Sequence, residues 1–342
     1  MTATGRPRPS AWRLSPRHRA VRDAKPGRAR TVLAAVAAVA LVAACGGGGG
    51  GPGDDRAGGP RGDQAPRAVR LSPTEPGPQG RVPQFVVECG FSHVAPDDPI
   101  VHPGHSGRSH LHVFFGNTTT TADSTVAALE AGGTTCDQRL DRAAYWAPAL
   151  LDHGQPVSPT KAVAYYRPGV GVDPRAVEPY PLGLAMLGGD QTAAAPQSLD
   201  VVAWTCGTGS APAATPPTCP DGRPLRMAVS FPDCWDGEHL DSADHVSHVA
   251  RSRDGACPAA HPVPVPQLLL TISYPVTGGG HDLTLASGSL LTGHADFLNV
   301  WDEDKLRTEV ETCLVRGLTC GVASNRAWDV PGGLPGMAVW GG

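Results

Sequence analysis

The chain has 342 residues, with 28 Lys and Arg set against 32 Asp and Glu for a formal charge of −4. That balance does not favour a nucleic-acid partner, and 43 glycines with 35 prolines argue against a mainly helical protein. The informative minority is 13 histidines and nine cysteines, both unevenly placed.

Residues 1–30 hold nine bases and a single acid, Asp23, and lead into the apolar run TVLAAVAAVALVAA, Thr31 to Ala44. A positive segment ahead of a short apolar one is the pattern of a secretory signal. As a helix that run would extend about 21 Å, short of the ~30 Å hydrocarbon core, so a permanent membrane span is not expected. Its end, Val42-Ala43-Ala44-Cys45, resembles a bacterial lipobox, in which the cysteine becomes the lipidated first residue. Residues 1–44 are therefore expected to be a lipoprotein signal peptide. Cys45 is the expected lipidation site, anchoring the protein to the membrane at the extracellular face of the cell. The competing reading is an ordinary secretory signal that contains Cys45. Residues 45–80, almost all Gly, Pro, Asp and Arg, cannot bury enough apolar surface to fold and are expected to be a disordered tether.

From there the composition becomes that of a folded unit, and 81–320 is expected to form one secreted domain, with 321–342 a Gly/Pro-rich tail. Short runs rich in Val, Leu, Tyr and Phe between Gly and Pro read as strands. In chain order they are Phe85–Cys89, His110–Phe115, Ala162–Tyr166, Val201–Cys206, Leu225–Phe231, Leu268–Val276 and Leu283–Leu290. Two helices are expected, Ser124–Ala131 after Asp123 or Ser124 as cap, and Lys305–Leu314, with Asp302 as a further candidate cap. The expected fold is mainly β with short helices and long ordered loops, an antiparallel sandwich or distorted barrel stapled by disulfides.

Without Cys45, eight cysteines remain, an even set suited to an oxidising compartment: Cys89, Cys136, Cys206, Cys219, Cys234, Cys257, Cys313 and Cys320. Local pairing would join Cys206 to Cys219, Cys234 to Cys257 and Cys313 to Cys320, leaving Cys89 with Cys136. This is one choice among about 105 connectivities. Zinc held by cysteines is the alternative, weakened by the lack of any Cys-x-x-Cys pair.

The histidines carry the chemical signal. His102, His105, His110 and His112 fall close together, as do His239, His245 and His248. In an extended SHLHVFF, His110 and His112 share one face while Leu111 and Val113 point into the core. Such a pair suits Zn or Cu, or an oxyanion, and the other reading is two histidines bonded to neighbouring loops. His102 and His105 lie on a Pro/Gly loop, as a lid or a turn. In DGEHLDSADHVSHVA, helical spacing would bring Asp241, Asp244, His245 and His248 to one face as acid/base or metal groups. If the segment is extended, that group breaks up. His294 and Asp296 alternate on a strand or turn, where Asp296 could orient the His294 ring. The expected metal ligands are thus His110, His112, His245, His248 and His294, and the expected catalytic groups Asp241, Asp244, His245 and His112. Tyr145, Trp146, Trp235 and Trp301 are candidate platforms for a sugar ring, with core packing as the plain alternative.

The segments HPGHSGRSHLHVFFGN, TTCDQRLDRAAYWAPAL, FPDCWDGEHLDSADHVSHVA, CPAAHPVPVP and HADFLNVWD resemble the domain of unknown function numbered nineteen-ninety-six, a family of secreted bacterial and fungal proteins. The resemblance runs from about Phe85 to Cys313 and departs at Val300, where a glycine is expected. It implies an extracellular location and one coherent domain, and brings no reaction with it. No Gly-x-Ser-x-Gly elbow, phosphate-cradling loop or His-Glu-x-x-His occurs, which argues against common serine hydrolases, nucleotide enzymes and zincins. The expected activity is a metal-assisted or acid/base hydrolase or lyase acting on extracellular or cell-wall polysaccharide. The alternative is a non-catalytic module that binds glycan or metal.

Overall fold

Residues 161–167, Lys-Ala-Val-Ala-Tyr-Tyr-Arg, alternate half-buried and buried positions along their whole length, the period-2 signature of a strand with one face on a core. The computed structural model describes residues 82–321, so the expectations for the signal, Cys45, the tether and the tail beyond Gly321 lie outside the described residues. Within them run β1 (Phe85–Ala95), β2 (His112–Gly116), β3 (Ala144–Pro148), β4 (Leu150–Asp152), β5 (Gln155–Pro156), β6 (Lys161–Arg167), β7 (Ala185–Gly189) and β8 (Val202–Cys206). They are followed by β9 (Leu225–Ser230), β10 (Cys234–Trp235), β11 (Val249–Ala250), β12 (Val263–Pro264), β13 (Gln267–Tyr274), β14 (Leu283–Leu285) and β15 (His294–Leu298).

Nine strands form one antiparallel sheet in the order β7-β15-β3-β2-β1-β6-β13-β9-β8. β1 joins its two halves: Phe85 to Gly90 pair with β6, Phe91 to Ala95 pair with β2, and the register shifts between Phe91 and Val94. The Thr135 hydroxyl fills the corner, donating to the Gly90 carbonyl at 2.7 Å and accepting from Gly116 N–H at 3.0 Å. The sheet then curls until it is nearly closed. A Cβ on Gly188 of β7 would stand 3.0 Å from Val229 Cγ1 of β9, so glycine is what lets the two ends approach. The mainly β, disulfide-stapled fold expected from the sequence is thus the observed one.

The sheet is apolar on both faces around the candidate site. Val113, Phe115, Tyr145 and Phe297 point into the main core, while Phe114, Trp146, Ala185 and Leu298 build a second cluster on the opposite face with Ile100, Leu129 and Val300. Val300 is not at a positive φ, so no glycine is required at that position. The loop between β1 and β2 lies over this second cluster and contributes Ile100 to it.

Two short helices complete the fold. α1 (Val126–Glu130) is capped by Thr125, whose side chain accepts from Ala128 N–H, rather than by Asp123 or Ser124. α2 (Glu303–Glu309) is capped by Asp302 and continues as a π-helical turn over Val310–Val315. All four expected disulfides form, Cys89–Cys136, Cys206–Cys219, Cys234–Cys257 and Cys313–Cys320, which leaves no cysteine of the described residues for zinc. Near the two limits of the described chain, Gln84 N–H donates to Leu318 at 3.0 Å and Cys320 N–H donates to Gln84 at 2.7 Å.

Candidate metal centre

Trp146 of β3 is flanked in register by Phe114 of β2 on one side and Asp296 of β15 on the other. Two residues earlier on their strands, and therefore on the same face, stand His112 and His294. Their partners in the ladder are small, Pro148 opposite His112 and Gly189 opposite His294, which leaves room for the rings above the sheet. His110, just before β2, brings a third ring over them. Its centroid is 4.2 Å from that of His112 and 5.1 Å from that of His294, and the latter two are 6.0 Å apart. One ring nitrogen from each of the three lies within 4.8 Å of the others.

The hydrogen bonds fix which nitrogens are available. His112 Nδ1 is 2.9 Å from the Asp97 carbonyl and His294 Nδ1 is 2.7 Å from that of Thr292. A carbonyl only accepts, so both Nδ1 atoms carry the proton and both Nε2 atoms keep a lone pair, the arrangement in which backbone groups orient metal-binding imidazoles. His112 Nε2 and His110 Nε2 are buried and have no hydrogen-bond partner.

Two carboxyls border the rings. Asp296 Oδ2 is 3.9 Å from His112 Nε2, buried, and also without a partner. Asp98 spends one oxygen on the N–H groups of Ile100 and Val101, both at 2.9 Å, and with His112 and Asp296 forms a second group of ligand atoms within 4.8 Å. Burial, then the neighbouring His294 and His102, push His110 down to about 4. Burial with His110 and His294 holds His112 well below the ordinary imidazole range, and burial also lowers His294. Burial, helped by Asp98, raises Asp296 well above the carboxylate range, and burial raises Asp98 as well. Burial therefore works against the charged form of both partners of the 3.9 Å contact between His112 and Asp296. Rings kept neutral keep their lone pairs, which is the state that ligates.

The second histidine cluster does not join this group directly. Segment 236–248 is a chain of turns rather than a helix, so Asp241, Asp244, His245 and His248 share no helical face. Asp244 is a turn-former: its Oδ1 accepts from Val246 N–H at 3.1 Å, Ser247 N–H at 2.9 Å and the Ser242 hydroxyl at 2.8 Å. Those bonds hold its carboxyl far below the usual range, unsuited to proton transfer near neutrality. His248 is a staple, with Nε2 on the Ala185 carbonyl at 2.7 Å and Nδ1 on the Ser242 hydroxyl at 2.9 Å, so no lone pair remains for an ion. Asp241 and His245 pair with each other at 2.9 Å on the half-exposed side, apart from the three converging rings.

Three of the four expected aromatic platforms are buried, Tyr145 and Trp146 because β3 is covered on both faces and Trp301, just after β15, because it packs into the main core. Tyr145 donates to Asp141 at 2.7 Å inside the main core and touches the Tyr166 hydroxyl, which in turn accepts from Trp301 Nε1 at 3.2 Å. Trp146 is fully enclosed in the second cluster. Trp235 alone stays half-exposed, its Nε1 donating to the His239 carbonyl at 2.7 Å. Asp98 escaped the sequence reading. Its signal was an Asp-Asp-Pro turn placed four residues before the first clustered histidine.

Comparison with known families gives a match to the model of Domain of unknown function (DUF1996) over residues 98–301, narrower at both ends than the resemblance from about Phe85 to Cys313. The matched span runs from Asp98 to Trp301 and contains every residue of the centre. No curated protein and no solved structure matches the chain.

Proposed function

The chain belongs to the DUF1996 family, whose description carries no reaction, and from that premise we propose that the protein binds one divalent transition-metal ion, zinc or copper, through His110, His112 and His294. The observation that supports this is three imidazoles converging with Nε2 of His110 and His112 buried and unpartnered. A buried polar atom without a partner costs about 1–3 kcal/mol, and an ion at this point would satisfy two such atoms at once. Imidazole nitrogens suit zinc or copper far better than calcium or magnesium. Asp296 stands at the edge of the shell as an oxygen ligand or as acceptor for a metal-bound water.

The site is further proposed to work outside the cell, on a domain tethered by lipidated Cys45. Four disulfides suit that oxidising compartment.

A second reading, metal-assisted hydrolysis or elimination on a polysaccharide, is favoured by the Asp241–His245 pair, a half-exposed carboxylate and imidazole 2.9 Å apart. Trp235 is then the one aromatic platform left.

The test is elemental analysis of the full chain purified without a polyhistidine tag, after incubation with zinc or copper and gel filtration. One ion per chain, lost in His112→Ala and kept in His248→Ala, is the expected result. No bound ion in the wild type rejects the proposal. For the second reading, reducing ends released from wall polysaccharide by the loaded protein and not by the stripped one are required, and their absence removes it.

A further inference from the structure

His112 stands where two groups of ligand atoms cross. One is the imidazole group with His110 and His294, and the other joins His112 to Asp98 and Asp296, each group having its ligand atoms within 4.8 Å of one another. The second group draws on β2, on β15 and on the loop between β1 and β2, which brings Asp98 over the sheet. It is no surface patch of acids, since Asp98 is 3%, Asp296 1% and His112 0% exposed. His112 Nε2 and Asp296 Oδ2 face each other at 3.9 Å without a hydrogen-bond partner. Asp98 accepts from Ile100 and Val101 N–H through Oδ1, so those bonds leave its Oδ2 uncommitted. Two carboxylates and one imidazole suit a harder ion than three imidazoles do, and manganese accepts that mixture. Two ionised carboxylates also neutralise a buried divalent ion, which imidazoles alone leave uncompensated.

We propose that Asp98, His112 and Asp296 form a second position, for a divalent ion of the manganese class, and that it and the three-histidine position are not filled together. The exclusion rests on the metal-binding reading above. His112 Nδ1 donates its proton to the Asp97 carbonyl, so the ring has one lone pair, at Nε2, and one lone pair holds one ion. A zinc or copper ion drawn to the nitrogens takes His112 away from the oxygen-rich position, and a harder ion draws it back. The centre thus sorts ions by whether imidazoles or carboxylates complete the set around His112.

Free aqueous Mn²⁺ has a sharp electron paramagnetic resonance spectrum that fades on binding, so uptake is read directly. The experiment titrates Mn²⁺ into the full chain, purified without a polyhistidine tag, as wild type, His110→Ala, Asp98→Asn and Asp296→Asn, and then adds Zn²⁺. The wild type is expected to take up one Mn²⁺ per chain and to release it one for one as Zn²⁺ binds. His110→Ala is expected to keep its Mn²⁺ uptake and to need more Zn²⁺ for the release. Both asparagine variants are expected to bind Mn²⁺ at least about tenfold more weakly, the scale on which shell residues act. Asparagine retains an oxygen that can accept from Ile100 and Val101, so Asp98→Asn decides the matter even where Asp296→Asn fails to fold. No Mn²⁺ uptake by the wild type, or undiminished uptake by Asp98→Asn, overturns the second position and leaves the three-histidine site standing. Mn²⁺ retained beside a full complement of Zn²⁺ overturns the sharing of His112. Mn²⁺ uptake by a wild type that takes no Zn²⁺ overturns the three-histidine reading, and the exclusion with it.

Discussion

His112 Nε2 faces Asp296 Oδ2 at 3.9 Å across a buried space in which neither atom finds a hydrogen bond. Two such atoms would be a plain destabilising defect in a domain with no use for them. Under the proposed metal binding, an ion entering here would satisfy both atoms and recover that cost.

Zinc at one hundred times its dissociation constant should therefore stabilise the domain by about 2.7 kcal/mol, read as a rise in melting temperature that a chelator reverses. His112→Ala should melt at the same temperature with and without zinc. A zinc-dependent rise retained in that variant would place the ion elsewhere.

His248→Ala separates structure from chemistry. It leaves the Ala185 carbonyl and the Ser242 hydroxyl without their partner and should cost about 1–3 kcal/mol in denaturant unfolding. Metal content should not change, because both nitrogens of that ring are already committed.

Asp141 governs one part of the pH profile. Burial pushes its carboxyl up to about 8, so the folded protein holds a proton there that the unfolded chain releases near pH 4. The folded state binds the extra proton between those two values, hence its stability falls as pH rises from about 4 to about 8 and is flat above. Asp141→Asn should remove that slope, visible as a wild-type minus variant difference in unfolding free energy that varies across this window. A constant difference would show that Asp141 is ionised in the fold.

The disulfides should contribute according to the loop each closes. Cys89–Cys136 spans 47 residues and Cys313–Cys320 spans 7, so replacing the first pair by serines should cost about 1.5–2 kcal/mol more than replacing the second by the chain-entropy argument. Chemical unfolding of the two double variants measures the difference directly.

Much of this architecture was legible because simple periods carry it. Alternation in SHLHVFF set His110 and His112 to one side and Val113 to the other, and the structure keeps that division. The local cysteine pairs were equally readable, since short loops close at low entropic cost. β3 and β7 went unread because Ala-Tyr-Trp-Ala-Pro and Ala-Met-Leu-Gly-Gly are covered on both faces and show no polar alternation. The same two-sided cover explains why Tyr145 and Trp146, adjacent in sequence and pointing to opposite faces, are both lost to any surface role. The helical reading of 241–248 failed for a local reason. Asp244 offers its carboxylate to Val246 and Ser247 N–H, competing with the helix for those donors, and His245 takes φ 59°, which no α-helix admits. Asp98 shows only a turn signal in the sequence, Asp-Asp-Pro, because its place beside His112 depends on how a long loop folds back on the sheet.

Gln84 is laced to Leu318 and Cys320, so the chain enters and leaves the domain side by side. A tension applied between those two ends would run along this short parallel stitch and load its hydrogen bonds together, in shear, rather than one after another. His112 and His294 sit on inner strands of the sheet and take no part in that stitch.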